Sequence, residues 1–167
     1  MVINIDSKFT TTNHQNHGYL LLHQKITSKD HTLLTPWLAM FGKAFYQEEV
    51  YCNSTPSLSY FEKLLANEYF IPLLALHEGQ VIAGIAAYEL PKFEQERSEI
   101  YIYDLAVAED YRRRGVATAL INELKLIASK RGAHVIFVQA DYEDSPAIAL
   151  YEKLGIREEV LHFDITV

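Results

Sequence analysis
The sequence predicts an α/β or α+β fold, with a mixed central sheet flanked by helices in a single domain. Three observations lead there. Apolar runs of strand length interleave with stretches whose apolar residues recur at helical spacing. A basic turn containing glycine joins one of those strands directly to the clearest amphipathic helix. The length of 167 residues suits one domain able to bury a sizeable core.

Each element has its own signal. Residues 1–18 are polar and without periodicity, and are expected to form a loosely ordered leader; a single domain over 19–167 follows. Residues 19–26 are a short apolar run and a first strand. Thr35-Pro36 offers an N-cap with proline at the first helical position, opening a helix to about Tyr46 with Trp37, Met40, Phe41 and Ala44 on one face. Thr55-Pro56 repeats that start for a helix to about Asn67, whose buried stripe is expected to be Leu58, Phe61, Leu64 and Leu65. Residues 71–77 and 81–90 read as a hairpin turning at Glu78-Gly79-Gln80. A charged connector leads to a strand over 98–107, rich in Ile, Tyr and Val. Residues 116–130 form the long helix, stopped at Gly132. A strand over 133–140, a short helix over 146–153 stopped at Gly155 and a last strand from about 158 to 163 complete the chain.

Composition narrows the function classes. Apolar types make up 49% and charged types 22%, which excludes a disordered or collagen-like chain. No apolar run approaches the ~20 residues of a membrane span, and the first residues lack the pattern of a signal peptide. The single cysteine, Cys52, allows no internal disulfide and fits a reducing cytoplasm, where the protein is expected. A net charge of −7 disfavours nucleic acid as a partner and points to a neutral or cationic one, although an acidic balance also serves plain solubility. The seven histidines show no metal-ligand spacing.

The chemistry concentrates after the strand over 98–107. There Tyr111-Arg112-Arg113-Arg114-Gly115-Val116-Ala117-Thr118 carries the chain into the long helix. A helix N-terminus leaves backbone N–H groups unpaired, and with the helix dipole they attract anions. Gly115 permits close backbone approach, Ala117 leaves the first turn unobstructed, and the arginines add positive charge. The loop matches neither G-x-x-x-x-G-K-[ST] nor G-x-G-x-x-G.

Arg112-Arg113-Arg114-Gly115-Val116-Ala117 resembles the R/Q-x-x-G-x-G/A pyrophosphate loop of the GNAT superfamily of acetyl-coenzyme A-dependent N-acetyltransferases. Asp104-Leu105-Ala106-Val107 is similar to the end of that superfamily's cofactor-binding strand. The stretch from Asp144 through Ala147, Leu150 and Tyr151 to Gly155 and Ile156 resembles its N-x-x-A-x-x-L-Y-x-x-x-G-F segment, with Asp144 in place of Asn and Ile156 in place of Phe. From about Tyr19 onward the chain closely resembles the aminoglycoside (gentamicin) 3-N-acetyltransferases, through Pro91-Lys92-Phe93-Glu94-Gln95, residues 98–107, Val138-Gln139-Ala140-Asp141-Tyr142 and residues 154–160.

The resemblance implies a GNAT-like sheet that bulges and splays at the cofactor-binding strand, acetyl-coenzyme A as cosubstrate, and direct transfer without an acyl-enzyme. It implies cofactor contacts from Leu105, Ala106, Val107, Arg112, Arg113, Arg114, Gly115, Val116, Ala117, Thr118 and Ala147. Many relatives are dimers, which implies a homodimer here. Tyr151 is the implied acid for the departing thiolate; a phenol of pKa ~10 protonating a thiolate of ~8.5 is uphill by about 2 kcal/mol.

Asp104 stands out by alternation as well. Tyr101, Tyr103 and Leu105 are expected on one face of the strand, and Ile100, Ile102, Asp104 and Ala106 on the other, where Asp104 is the only charge. A carboxylate there is costly unless paired or needed, so it is a candidate base or anchor for the substrate amine. Glu99 reads as a rim charge. Asp141, Tyr142, Asp144 and Asp164 are candidate contacts for a polycationic substrate, on loops where sites gather. Acetylation of a polyamine or protein amine, and a non-catalytic acyl-coenzyme A sensor, remain competing readings.

Overall fold
The computed structural model describes residues 10–12, 20–23, 32–53 and 55–167. At the centre is the hairpin between β3 (Phe70–His77) and β4 (Gln80–Pro91). Its turn puts Glu78 and Gly79 at φ 51° and 79°, the left-handed pair that matches strand twist. β5 (Ser98–Val107) pairs antiparallel with β4, and β6 (Ala133–Val138) pairs parallel with β5. On the far side β2 (Leu20–His23) and β1 (Thr10–Thr12) extend the sheet, giving the order β1-β2-β3-β4-β5-β6. Thr10–Thr12 falls inside the stretch expected to be a leader and is an edge strand instead. The rest of that stretch lies outside the described residues.

Helices cover both faces of the sheet. α4 (Val116–Arg131) packs Val116, Leu120, Leu124 and Ile127 on one face, against Ile71, Leu73, Ile85, Ile100 and Ile102. α5 (Ser145–Leu154) adds Leu150, Tyr151 and Leu154 to the margin of that core. α1 (Leu34–Phe45), α2 (Glu48–Cys52) and α3 (Leu58–Ala66) cover the opposite face, where Trp37, Met40, Phe41 and Phe61 meet Phe70, Leu74 and Ala106. β3 is therefore buried along nearly its whole length, as a strand covered on both faces must be. Pro72 sits in β3 beyond the last β2 pair, His23–Leu73, so no β2 ladder bond is lost to its missing N–H.

Several boundaries differ from the sequence reading. α1 starts one residue before Thr35, with Leu33 at the cap position and no side-chain cap. α3 is capped not by Thr55 but by Ser57, whose Oγ accepts the Tyr60 N–H at 3.2 Å; Thr55 instead donates to the Cys52 carbonyl. Leu58 stays 48% exposed rather than joining the α3 stripe. The largest correction lies at the C-terminus. The expected strand over 158–163 is absent: residues 156–167 have no regular structure and are exposed throughout.

Candidate functional site
β5 carries a bulge that re-aims its side chains. Opposite it, Ala86 faces Asp104 while the next β4 residue, Ala87, faces Ile102, so Tyr103 is the extra residue. The bulge was expected two residues later, at Leu105–Val107. An extra residue reverses the alternation beyond it. Leu105 and Val107 join Ile100 and Ile102 on the α4 side, while Asp104 and Ala106 turn to the α1–α3 side. The expectation that Asp104 shares a face with Ile100 and Ile102 is thus wrong, because simple period-two counting fails across a bulge.

On that face Asp104 meets aromatic rings. Tyr51 of α2 donates its phenolic hydrogen to Asp104 Oδ1 at 3.1 Å. Tyr51 itself stacks on Phe41 with ring centroids 5.9 Å apart, which fixes the donor. Burial raises the Asp104 pKa above the ordinary carboxylate range, against the opposing pull of the Tyr51 hydrogen bond. Burial and then the adjacent Asp104 charge push the Tyr51 phenol far up, so it stays a neutral donor. Beside this pair, Phe70, Tyr88, Tyr101 and Phe137 lie directly opposite one another on four successive strands. Tyr101 stacks on Phe137 at 5.0 Å, and Tyr103 meets Tyr88 and Tyr101 edge-on at 6.1 and 5.8 Å. No cation pairs with Asp104 among the described residues.

The sheet opens next to this group. β6 pairs with β5 only as far as Ile102–Val138, so residues 103–107 have no strand on that side among the described residues. This is the splay expected at the strand end. Tyr151 of α5 packs on the α4-side core, on the face opposite Asp104. Its pKa is pushed up to about 12, chiefly by burial and then by the charge of Asp144.

The basic loop has the features of an anion cradle. Gly115 sits at φ 81°, with open space where a Cβ would project. No side chain caps α4, and the first bond back into the loop is from Ala119 N–H to Gly115 O at 2.9 Å. The N–H groups of Val116, Ala117 and Thr118 therefore head the helix, although the Val116 side chain itself is buried. Arg113 adopts φ 62°, Arg114 lies 5.4 Å over the Tyr111 ring, and Arg112 Nε donates to the Val107 carbonyl at 3.1 Å. Arg112 thus ties the loop to the open end of β5.

Other expected site residues have structural duties or lie apart. Asp144 caps α5 by accepting the Ala147 N–H at 3.1 Å, which also occupies the Ala147 donor. The Asp141 carbonyl accepts the Asp144 N–H in the turn before α5. Tyr142 is 75% exposed and donates to Glu159. Asp164 bonds His162 on the exposed C-terminal segment and is not brought to Asp104 or Tyr151. Glu99 pairs with Lys92, as a rim charge would. Tyr51 and Tyr88 escaped the sequence reading: Tyr51 lies 53 residues from Asp104, on a five-residue helix without an apolar period.

A bulged strand whose end parts from β6 leads through a basic loop to a helix without a side-chain cap, a strand–loop–helix geometry suited to an anionic ligand. Residues 34–156 match the Acetyltransferase (GNAT) family, and the chain belongs to that family, whose acetyl donor is acetyl-coenzyme A. It is similar to the structure of an aminoglycoside acetyltransferase from an uncultured soil metagenomic sample, with 58% identity, a TM-score of 0.84 and coverage of 88% of this chain and 98% of that one. A second soil aminoglycoside acetyltransferase, solved with sisomicin, is 28% identical with a TM-score of 0.79 over 88% of this chain and 96% of its own. An N-alpha-acetyltransferase of Saccharolobus solfataricus is 31% identical over 96 residues, 51% of this chain and 58% of its own. A ribosomal protein bS18-alanine N-acetyltransferase of Escherichia coli K12 is 35% identical over 63 residues, 38% of this chain and 43% of its own. The chain thus spans about half the length of these curated relatives. No helix among the described residues is long and apolar enough to cross a membrane.

Proposed function
We propose that the chain transfers the acetyl group of acetyl-coenzyme A directly to an amine of an aminoglycoside, at the 3-N position, and confers resistance from within the cytoplasm. The observation that carries this reading is Asp104. It is a partly buried carboxylate with one phenolic donor, no cation among the described residues and a wall of aromatic rings beside it. A carboxylate beside aromatic rings suits an ammonium group on a ring whose C–H face can lie against aromatic carbon. The likeness to the soil aminoglycoside acetyltransferases supports the same substrate class.

When bound, acetyl-coenzyme A supplies a thioester as the acetyl source. The N–H groups at the head of α4, with Arg113 and Arg114, hold its pyrophosphate. Backbone N–H groups on the open side of residues 105–107 orient the acyl end. Asp104 Oδ anchors the substrate ammonium and takes one of its protons, directly or through water, leaving a neutral nitrogen to form the new C–N bond. As the C–S bond breaks, Tyr151 Oη delivers its proton to the sulfur, and the second proton shed by the acetylated nitrogen restores the phenol through water, so that amide, thiol and one proton on Asp104 are the products. Tyr51 holds the Asp104 carboxylate in register with the opening.

Transfer to a protein or peptide α-amine is the second reading, favoured by the N-alpha-acetyltransferase relatives. The purified protein with acetyl-coenzyme A and gentamicin should release free thiol and give a mono-acetylated product bearing the group on N3 by NMR. Acetylation at another nitrogen would overturn the 3-N assignment alone. Thiol release with an alanine-initiated peptide but none with any aminoglycoside would replace the first reading with the second.

A further inference from the structure
The hairpin between β3 and β4 reaches the basic loop through one aromatic ring. His77, the last residue of β3, pairs with Gln80 across the tight turn at Glu78-Gly79. Its Nδ1 shares a hydrogen bond of 3.0 Å with the Tyr111 hydroxyl, and the two ring centroids are 5.4 Å apart. Tyr111 ends the short helical turn Glu109–Tyr111, where its N–H donates to the Ala108 carbonyl at 2.9 Å, and its ring packs at the margin of the α4-side core. Over that ring stands the Arg114 guanidinium, its carbon 5.4 Å from the centroid. Arg114 directly precedes Gly115, the residue that heads α4.

The way Arg114 is held bears on what it can bind. Among the described residues the arginines in ion pairs are Arg97, Arg131 and Arg157, none of them in the loop. A carboxylate partner would fix a guanidinium but also offset its charge. An aromatic face restrains it through the ring quadrupole and leaves the charge and the N–H fork for an anion. The ring is restrained in turn. An unbonded tyrosine swings with its side-chain torsions, whereas Tyr111 is bonded at its hydroxyl to a strand whose Leu73, Leu74 and Ala75 are fully buried.

We propose that His77 is a positioning residue for the donor: through Tyr111 it holds the Arg114 guanidinium, its charge uncompensated, where the pyrophosphate of acetyl-coenzyme A meets the head of α4. This role rests on the loop being the pyrophosphate cradle and is independent of the acceptor. An arginine already ordered loses less rotamer freedom on binding, so the restraint is read as affinity for the donor.

Calorimetric titration of the full chain with coenzyme A tests this role. Arg114→Gln should weaken binding about 20-fold, as loss of a charge-assisted bond does, and His77→Leu and Tyr111→Phe about three- to fivefold each. Tyr111→Phe keeps the ring, so it reads the hydrogen bond even where His77→Leu lowers the yield of folded protein. In the Arg114→Gln background His77→Leu should weaken binding no further, because its effect passes through the guanidinium. Wild-type affinity in both His77→Leu and Tyr111→Phe, beside a weakened Arg114→Gln, overturns the positioning role and leaves the cradle in place. A His77→Leu loss of the same size with and without Arg114 marks a general structural effect and also overturns it. Wild-type affinity in Arg114→Gln removes Arg114 from the pyrophosphate, and the role of His77 with it.

Discussion
Replacing Tyr151 by phenylalanine removes one oxygen and leaves the ring that packs on the α4-side core. The structure sets the scale of the effect. With its pKa pushed up to about 12, Tyr151 is a weaker acid than an ordinary tyrosine. Full proton transfer to a thiolate of pKa ~8.5 is then uphill by about 5 kcal/mol, more than twice the figure for an unperturbed phenol. The proton therefore moves only as the C–S bond breaks, and the contribution belongs at the low end of general-acid catalysis, about 100-fold. Thiol release under saturating substrate should show kcat for Tyr151→Phe lower by about that factor, with KM for acetyl-coenzyme A within about twofold of wild type. The sign of the pH dependence follows from the same value. Tyr151 holds its proton at every pH below about 12, so the wild-type profile has no basic limb from this group in the neutral and mildly alkaline range. A Tyr151→Phe turnover within about threefold of wild type would refute the acid role.

Asp104→Asn should lower turnover by about 100-fold and abolish the acidic limb of the rate profile, which in wild type lies above the ordinary carboxylate range because burial raises the Asp104 pKa. A raised carboxylate pKa means that the charged form disfavours the fold, a cost that disappears as pH falls through that pKa; at neutral pH the Asn variant should melt no lower than wild type, which calorimetry checks. Tyr51→Phe removes the donor that opposes this shift, so the acidic limb should move to higher pH with kcat at its plateau within about threefold of wild type, and an unmoved limb would detach Tyr51 from Asp104. Gly84→Ala places a Cβ 2.3 Å from Trp37 Nε1 and 3.1 Å from the Leu73 carbonyl, in a site where Trp37 is only 3% exposed. Overpacking of this kind costs about 1–3 kcal/mol, a Tm lowered by roughly 3 to 10 °C, and Trp37→Phe in the same chain should recover part of it.

Local chemistry made much of the fold legible. Glu78-Gly79 could only be a tight turn, and the α4 stripe of Val116, Leu120, Leu124 and Ile127 could only be one helix face. The basic loop was legible for the same reason, since Gly115 does stand at positive φ heading a helix without a side-chain cap. What sequence missed depends on partners distant along the chain. The bulge at Tyr103 arises from pairing with β4, and one extra residue moved Asp104 to the other face. Tyr51 reaches Asp104 from a helix too short to carry a period. Asp144 read as a substrate contact because its charge is visible in sequence, while its bond to the Ala147 N–H is not. The strand expected over 158–163 is not formed, and that segment pairs with no other strand among the described residues, a tertiary outcome that local alternation does not reveal.

The central claim is that Asp104 and the aromatic wall select an amino sugar rather than a peptide. A steady-state comparison of kcat/KM for gentamicin and for an alanine-initiated peptide, with acetyl-coenzyme A saturating, tests it most directly. The account predicts a ratio of at least about 100 in favour of gentamicin, and a loss of most of that preference in Asp104→Asn. Equal values, or a preference for the peptide, would contradict it.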